Sequence, residues 1–399
     1  MKKIKVFIFL IMILLLTGCY NYKEINDYAI VSAISIDESK KENKKYTIGI
    51  QIMNAKKDEE SDSSSIAFYK SDGNTVYECM QKILLDLPKE IYLGHNEVVI
   101  LSDKLLKKES PLNFLDYFLR DSEIEKDSLV IISREENAYD ILKIITPLET
   151  IPSRNLKETI KVADDFKGTL SAITLDEFIA GLSNNGEDPI LPSVKISGKV
   201  DKGKQTKNVS QSDPNAKIKL STLGYFENSK LKGFLSEEEE EGYKILSNTS
   251  NGTYINVKCD DKNYATIRIK SSKTKENLTF KNNKPYVKLN NKISARLIEY
   301  NCKIDFLKDD KKIKKLEKDS SKKAKKLITK AINKLYKENN SDALMYGEKF
   351  YGRKNSDLKK LNIKEKDIKK IVSFSLKTSV KIEKIGLTIK SIKEVSKHE

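Results

Sequence analysis

The residue whose surroundings most clearly indicate chemistry is Cys19. It follows Leu16, Thr17 and Gly18, and Leu-Thr-Gly-Cys has the pattern of a lipobox, in which the cysteine thiol receives a diacylglyceryl group before cleavage ahead of it. The mature chain would then begin at Cys19, with its amine also acylated. Two or more acyl chains hold a protein durably at a membrane, whereas one chain holds it only marginally. The sequence therefore predicts lipidation of Cys19; the alternative is an ordinary signal peptide that ends near a cysteine.

The segment before this cysteine has the order of a bacterial export signal. Lys2, Lys3 and Lys5 give a positive start, and an unbroken apolar run of eleven residues extends from Val6 to Leu16. A helix needs about 20 apolar residues to cross a bilayer, so residues 1–18 are predicted to be removed as a signal peptide. No later stretch is apolar for long enough to span. We expect a body tethered by lipid to the outer face of a bacterial cell membrane.

Elsewhere, the residues that could do chemistry are few. His95 lies in a Gly-His-Asn turn and could act as a base or proton switch, but no nucleophile motif lies nearby, so a structural, satisfied histidine is the favoured interpretation. Gly198–Lys204 has P-loop spacing, yet Gln205 replaces the Ser or Thr that would hold Mg²⁺ and no apolar helix follows. Glu237–Glu241 follows Ser236, which is ordinary helix initiation. We therefore predict no enzyme activity, no metal site and no cofactor.

Positive charge is the main compositional signal. The formal net charge is +16 over 399 residues, and removal of residues 1–18 leaves +13 because it takes away three lysines and no acids. An exported, lipidated chain does not meet nucleic acid, so nucleic acid is excluded as a partner. From Lys303 to Lys337 there are fourteen lysines against five acids. The basic face of a predicted helix at 313–337 is interpreted as a solvated surface, with anionic lipid headgroups or an acidic protein as the functional alternatives.

The pattern of apolar residues predicts a mixed α/β chain with several domains. In the first half, apolar β-rich runs alternate with capped amphipathic helices, which is typical of α/β or α+β folds. Residues 199–217 are polar and form the predicted linker. Beyond them, strand-like runs predict an antiparallel sheet with one long amphipathic helix, and so an α+β domain. The predicted units are a signal peptide at 1–18, an N-terminal α/β domain at 19–146, a middle mixed segment at 147–198 and a C-terminal α+β domain at 218–399.

Three cysteines remain beyond Cys19, at positions 79, 259 and 302. An odd, widely spaced set is no disulfide framework and has no metal-ligand spacing. Cys259 and Cys302 fall in probable strands of one domain and could pair, although buried free thiols are the favoured interpretation.

Three stretches resemble the Ger(x)C lipoprotein family, the C subunits of bacterial spore germinant receptors, and the third of them is Pro189–Pro192 (PILP) with Leu223–Glu241. The first, from Gly18 to Asp37, reads GCYNYKEINDYAIVSAISID, with Tyr20 where the family usually has tryptophan. The second, from Ile91 to Ile124, reads IYLGHNEVVILSDKLLKKESPLNFLDYFLRDSEI and is the more specific. After the long helix the family tends to have Asp with Gly-Phe-Gly, where this chain has Asp342 and MYGEKFYG.

This resemblance implies a non-enzymatic receptor subunit with three mixed α/β domains. It would sit on the outer face of the spore inner membrane beside two integral-membrane subunits, and together they would sense small nutrients and start germination. Its motif positions imply a structural or partner-contact role for Tyr92, Leu93, Gly94, His95, Asn96, Leu115, Asp116, Arg120 and Asp121. The alternative from another class is a lipid-anchored solute-binding protein of a transporter, which would need two doubly wound lobes.

Overall fold

The computed structural model describes residues 27–53, 65–120, 124–167, 172–260, 262–302 and 310–385. Residues 1–18, Cys19 and Asp121 lie outside this part of the chain, so lipidation of Cys19 stays a prediction. Among the residues that are described, no helix combines the length and the apolar composition needed to cross a membrane.

The larger of two sheets has nine strands, which are β1 (Tyr28–Glu38), β2 (Tyr46–Met53), β3 (Ile66–Gly73), β4 (Glu90–Tyr92), β5 (Val98–Ser102), β6 (Leu129–Ser133), β7 (Ile190–Gly198), β8 (Ala216–Glu227) and β9 (Lys230–Phe234). Their order is β3-β2-β1-β5-β6-β7-β8-β9, and β4 pairs with the start of β1. The central strands β1, β5, β6 and β7 are parallel to one another. The outer pairs on both sides are antiparallel, so the sheet is mixed.

Helices cover both faces of this sheet, and they are α1 (Val76–Leu85), α2 (Asp103–Lys108), α3 (Leu112–Arg120), α4 (Pro152–Lys167) and α5 (Leu175–Ser183), with a 3₁₀ helix at Ala138–Lys143. Val99 and Leu101 of β5 pack in the core formed with α1, α2, α3 and α5. Val98 and Ile100 pack in the core formed with the 3₁₀ helix and α4. Burial on two faces explains the continuous apolar run of β5.

The same burial corrects one expectation. The alternation of Tyr46, Ile48, Ile50 and Ile52 predicts a half-buried β2, but six of its eight residues are buried. The polar Gln51 is among them, and its side-chain nitrogen donates to Ser32 Oγ at 2.7 Å and Ser153 Oγ at 3.0 Å. A buried polar side chain, hydrogen-bonded through its nitrogen, therefore occupies the second face, which alternation alone predicts to be solvated.

Two predicted helix starts are confirmed as complete capping boxes. Thr174 and Glu177 begin α5, and Ser236 and Glu239 begin α7 (Glu237–Leu246), with reciprocal side-chain to backbone hydrogen bonds in each. Thr75 caps α1 by accepting from the N–H of Glu78, while Glu78 reaches back to the N–H of Asn74.

Two helices differ from the pattern that their apolar residues predict. The spacing of Leu112, Leu115, Phe118 and Leu119 predicts one inner side of α3, but the buried residues are Phe114, Leu115 and Phe118, and Leu119 is 43 % exposed. Ala138, Ile141, Leu142 and Ile145 predict a helix, but the segment is a 3₁₀ helix that ends at Lys143, so Ile145 lies beyond it. Its tighter winding changes which side chains share a face.

The predicted linker at 199–217 joins two paired strands. It contains a four-residue helix α6 (Val200–Gly203) and a 3₁₀ turn at Thr206–Asn208, and it returns the chain so that β8 pairs antiparallel with β7. The nine-stranded sheet therefore continues to Phe234, and the next sheet begins at Tyr254. The division into domains stays a prediction.

The second sheet has four strands in sequence order, which are β10 (Tyr254–Lys258), β11 (Tyr264–Lys281), β12 (Lys284–Tyr300) and β13 (Ser373–Ile385). The first three are antiparallel, as predicted, while β13 runs parallel to β12. Between these two strands lie α8 (Asp310–Ile332), a π-helical turn at Asn333–Glu338, α9 (Tyr346–Lys360) and α10 (Ile368–Ile371). The helical crossover explains the parallel pairing, and the mixed fold class with one long helix on the last sheet is confirmed.

Cys259 and Cys302 form a disulfide, with their Cα atoms 6.1 Å apart. The interpretation of these two residues as free thiols is therefore wrong, because β10 and β12 lie on either side of β11 and end at the same edge of the sheet, next to the start of β11. Cys79 of α1 is free and buried, as expected, and its Sγ lies 3.7 Å from the carbonyl oxygen of Tyr46 in β2.

Candidate functional site

The motif turn from Tyr92 to Asn96 lies where the central strands begin. Tyr92 ends β4 and pairs with Ile30 near the start of β1, and its ring lies 5.3 Å from that of Tyr28. Leu93 is buried. Gly94 is packed under Tyr92, since a Cβ there would come within 2.5 Å of its ring carbon Cζ. Any larger residue at this position would require the Tyr92 ring to move.

Asn96 fastens the turn to the loop before β6. Its side-chain nitrogen donates to Ser128 Oγ at 2.9 Å, and Ser128 Oγ donates to the Asn96 carbonyl at 2.5 Å. Both residues are buried. The pair stabilises the chain between two parallel strands, so this motif position has a structural role.

His95 is the exposed residue of this turn. Its ring packs edge-on against Tyr92, with the ring centroids 5.7 Å apart. The interpretation of His95 as a structural, satisfied histidine stays a prediction. The chain on either side is held by buried neighbours, so the turn presents an imidazole at the surface.

The second motif segment lines a groove of about 910 Å³. Leu115 is fully buried, but Asp116 and Arg120 face the groove and form an ion pair, with Arg120 Nε 2.6 Å from the Asp116 carboxylate. The aromatic lining comes from Tyr46, Tyr77, Phe114 and Tyr117, and further polar side chains come from Lys45, Asn74, Thr75, Glu109 and Asn113. The groove is open and carries both signs of charge.

The structure does not bring the two motif segments together. The turn lies beside Tyr28, the first residue of β1, whereas Tyr46 in the groove pairs with Glu38, the last. A strand rises about 3.3 Å per residue, so roughly 30 Å separates the two positions along β1. They are two surfaces rather than one pocket.

A buried carboxylate, that of Asp37, lies near the C-terminal end of β1. Asp37 accepts hydrogen bonds from the N–H of Ala138 at 2.6 Å and of Tyr139 at 3.0 Å, and so caps the 3₁₀ helix. Burial raises its pKa to about 6, although the two N–H donors act in the opposite direction. Asp37, the last residue of the first stretch that carries the resemblance, therefore holds the start of the 3₁₀ helix against β1.

A second cluster of charges, missed by the sequence analysis, joins the two sheets. Asp188, just before β7, accepts from Lys369 Nζ at 2.6 Å and from the N–H of Asp342 at 2.8 Å through one oxygen, and from the N–H of Asn228 at 2.9 Å through the other. Asp188 and Lys369 are both buried. Residues 154 and 181 positions away in sequence meet here, so no local pattern could reveal them.

Asp342 continues this cluster into α9. Its carboxylate accepts from the N–H groups of Tyr346 at 2.8 Å and Gly347 at 2.6 Å and from Tyr336 Oη at 2.6 Å. Burial raises its pKa to about 6. Gly347 lies against Gly186, since a Cβ on Gly347 would come within 2.7 Å of Gly186 Cα. The segment MYGEKFYG differs from the family pattern, but the chain still has the aspartate before it, Asp342, and a close-packed glycine within it, Gly347.

These carboxylates fasten backbone segments, and each is engaged by at least two donors. Within the described ranges, no group of three or more His, Cys, Asp or Glu is arranged to hold a metal ion. The folded chain therefore has two exposed surfaces of interest, the turn at His95 and the groove beside α3.

The fold resembles one that has been solved. The crystal structure of the GerBC protein superposes with a TM-score of 0.56 at 20 % identity, covering 88 % of this chain and 96 % of that chain. The class defined by this fold is a mixed α/β protein with a nine-stranded and a four-stranded sheet.

Sequence comparison identifies the family. The model described as spore germination protein N-terminal domain matches residues 21–196, and that described as spore germination B3/GerAC like, C-terminal, matches residues 221–386. Spore germination protein KC of Bacillus subtilis is 26 % identical over 98 % of this chain and 97 % of its own length. Spore germination protein B3 of the same organism is 24 % identical over 84 % and 86 %. This chain belongs to the Ger(x)C family of spore germination proteins.

The buried pair at the sheet junction leads to a stability prediction. Lys369→Met should lower the free energy of unfolding by about 3–5 kcal/mol, because it leaves the Asp188 carboxylate buried without its cation. The neighbouring Lys370 is exposed and pairs with Asp367, so Lys370→Met should cost less than about 1 kcal/mol. Urea denaturation of both variants measures the difference, and equal losses would contradict the assigned role.

The two capping carboxylates predict the direction of a pH effect. Their folded-state pKa of about 6 lies above the ordinary 3.8, so the folded chain binds more protons than the unfolded chain between these values. Stability should therefore fall as the pH rises from about 4 to 6, by up to roughly 3 kcal/mol per carboxyl. Urea denaturation across this range tests it. Asp37→Asn should show a shallower slope, and an unchanged slope would exclude Asp37 as a source.

Proposed function

We propose that this chain is the C subunit of a nutrient germinant receptor that triggers spore germination, and that it acts without catalysis. The observation that carries the proposal is the match of both family models, which together extend from residue 21 to residue 386. The matches to two spore germination proteins of Bacillus subtilis cover 97 % and 86 % of the length of those proteins. The buried carboxylates of Asp37 and Asp342, which each cap a helix, support a rigid body that presents surfaces to partners.

The proposed location is the outer face of the spore inner membrane, with residues 1–18 removed and Cys19 lipidated. Tyr28 lies nine positions after Cys19, and an extended chain spans at most about 3.6 Å per residue. The start of β1, and with it the Tyr92–Asn96 turn, would then lie within roughly 30 Å of the bilayer. We assign the exposed His95 of this turn to contact with two integral-membrane subunits. The Leu115–Asp121 helix end is the second proposed contact.

The domain limits belong to this proposal too. A signal peptide at 1–18 would be followed by domains at 19–146, 147–198 and 218–399, with a linker at 199–217. The border of the two family models, between residues 196 and 221, supports a limit near the linker. For the basic helix at 313–337 a solvated surface stays the favoured interpretation, with anionic lipid or an acidic protein as the alternatives.

A deletion strain tests the receptor function. Its spores should lose germination toward a subset of amino acids or other small nutrients, followed as loss of optical density, while a non-nutrient trigger still works. The protein should also fall in inner-membrane fractions when its membrane partners are deleted. Normal germination together with a lost nutrient-uptake phenotype would contradict the proposal and indicate a solute-binding protein of a transporter.

Substitution of the lipidated residue tests the anchor. Cys19→Ala should abolish incorporation of labelled palmitate, leave an uncleaved precursor and weaken germination, because the thiol is the acceptor. Tyr20→Trp, which introduces the residue usual in the family, is the matched control and should be processed normally. Labelled, correctly cleaved Cys19→Ala protein would sink the lipid-anchor claim without affecting the receptor claim.

A further inference from the structure

Charge is distributed very unevenly along the chain. Residues 1–250 contain 34 Lys and Arg against 40 Asp and Glu, which is a net charge of −6, whereas residues 251–399 contain 40 against 18, a net charge of +22. A lysine-rich composition alone would spread the positive charge over both parts. Such asymmetry between parts of a chain indicates an interaction with an anionic surface.

The excess charge lies partly on one open face of the second sheet. Apolar residues of its strands, such as Ile267, Leu289 and Ile382, are buried against α7 and α8. The alternate residues point the other way, to solvent. We call this surface the basic sheet face; its cations are Lys258, Arg268, Lys270, Lys273, Lys275, Lys281, Lys284, Lys288, Lys292, Arg296, Lys377 and Lys381, and all but the half-buried Arg296 are exposed.

Acids do little to neutralise this face. On the described strands its acids are Glu299 and Glu383, and Glu383 lies 3.6 Å from Lys270. Like charges stand directly opposite each other across β11 and β12, at Arg268 with Arg296 and at Lys273 with Lys292. Such pairs destabilise a sheet. An anionic surface placed over them would remove that repulsion.

Uncharged side chains at one end of the face also suit a bilayer. Tyr254 is 56 %, Tyr264 46 % and Ile298 54 % exposed, which makes them three of the exposed large apolar residues of the structure. Tyr254 pairs with Arg268, and Ile298 lies at a bulge beside Arg296. Tyrosine is enriched where protein meets the headgroup layer, because one end of its ring is apolar and the other polar.

The basic face of α8 lies on the opposite side of this sheet and is more nearly neutralised. Glu238 of α7 forms ion pairs with Lys323, at 2.8 Å, and with Lys330. These two cations lower the pKa of Glu238 to about 2. Lys322 also lies 3.5 Å from Asp319. A flat surface can cover only one of the two faces at a time, and charge favours the sheet.

We propose that the basic sheet face docks onto the headgroups of an anionic lipid bilayer. The face combines this positive charge with exposed Tyr254, Tyr264 and Ile298 at one end, and the headgroup layer of a bilayer accommodates both kinds of side chain. Each basic residue near an anionic bilayer contributes about 1 kcal/mol, so a dozen held on one flat sheet give strong attraction without any single binding pocket. The proposal rests on the membrane location proposed above and adds a second contact to the lipid anchor.

Protection of individual lysines tests the docking in the full chain. The protein is expressed from Met1 in a bacterial host, extracted in detergent and reconstituted with vesicles of phosphatidylglycerol and phosphatidylcholine in equal parts, or of phosphatidylcholine alone. A water-soluble acetylating reagent is added, and mass spectrometry gives the rate at each lysine. Lys273, Lys288, Lys292 and Lys377 should react several-fold more slowly on the anionic vesicles only, and high salt should abolish the difference.

Matched charge reversals show which face is responsible. The triple variant Lys273→Glu, Lys275→Glu and Lys292→Glu should lose protection at Lys288 and Lys377. The triple variant Lys314→Glu, Lys318→Glu and Lys325→Glu on α8 changes the net charge equally and should keep it. Thermal unfolding of both confirms that they are folded.

Three results would overturn the proposal. Protection of the α8 lysines in place of the sheet would assign the contact to the other face. Equal protection on both vesicle types would show a contact made by the lipid anchor alone. Protection seen only in native membranes that contain the partner subunits would identify an acidic protein as the occupant. None of these readings depends on germination, so the receptor function can fail or stand separately.

Discussion

The junction of the two sheets depends on the hydrogen bonds of the buried Asp188 carboxylate. Asp188 lies in the loop before β7, and its partners are Lys369 of α10 and two backbone N–H groups from other loops. The apolar core beneath it is shared in the same way, because Ile190, Leu223 and Tyr225 of the large sheet pack with residues of the small one. A buried charge with fixed donors adds direction to this otherwise non-directional contact. The two sheets are therefore held in one defined orientation.

Asp37 and Asp342 repeat one solution at two places. Asp37 lies near the end of β1 and Asp342 in the loop before α9, and each is buried and accepts backbone N–H groups at the start of a helix. A helix start leaves N–H groups without partners. Asp37 satisfies them at a separation of 101 residues in sequence, whereas Asp342 satisfies those of the helix that follows it and also donates its own N–H to Asp188.

Local sequence signals gave reliable predictions, and long-range ones did not. The capping boxes at Thr174 and Ser236 and the buried runs of β5 and β6 follow from near neighbours in sequence, and the structure contains them. The parallel pairing of β13, the disulfide and the Asp188–Lys369 pair depend on which elements meet, which periodicity cannot encode. The linker is instructive. Its polar composition and the family-model border both mark residues 197–220 as a division, yet hydrogen bonds between β7 and β8 carry the sheet straight across it.

The place of β13 has a consequence for how the chain reaches its native state. β12 waits for a partner that begins at Ser373, more than seventy residues after it ends, and contacts so distant in sequence form slowly. Until synthesis of that last strand is complete, one edge of a 17-residue strand stays open, and open edges invite pairing with other chains. Lysines along β12 provide repulsion during this interval. The positive charge of the small sheet thus opposes pairing of this open edge with other chains during synthesis.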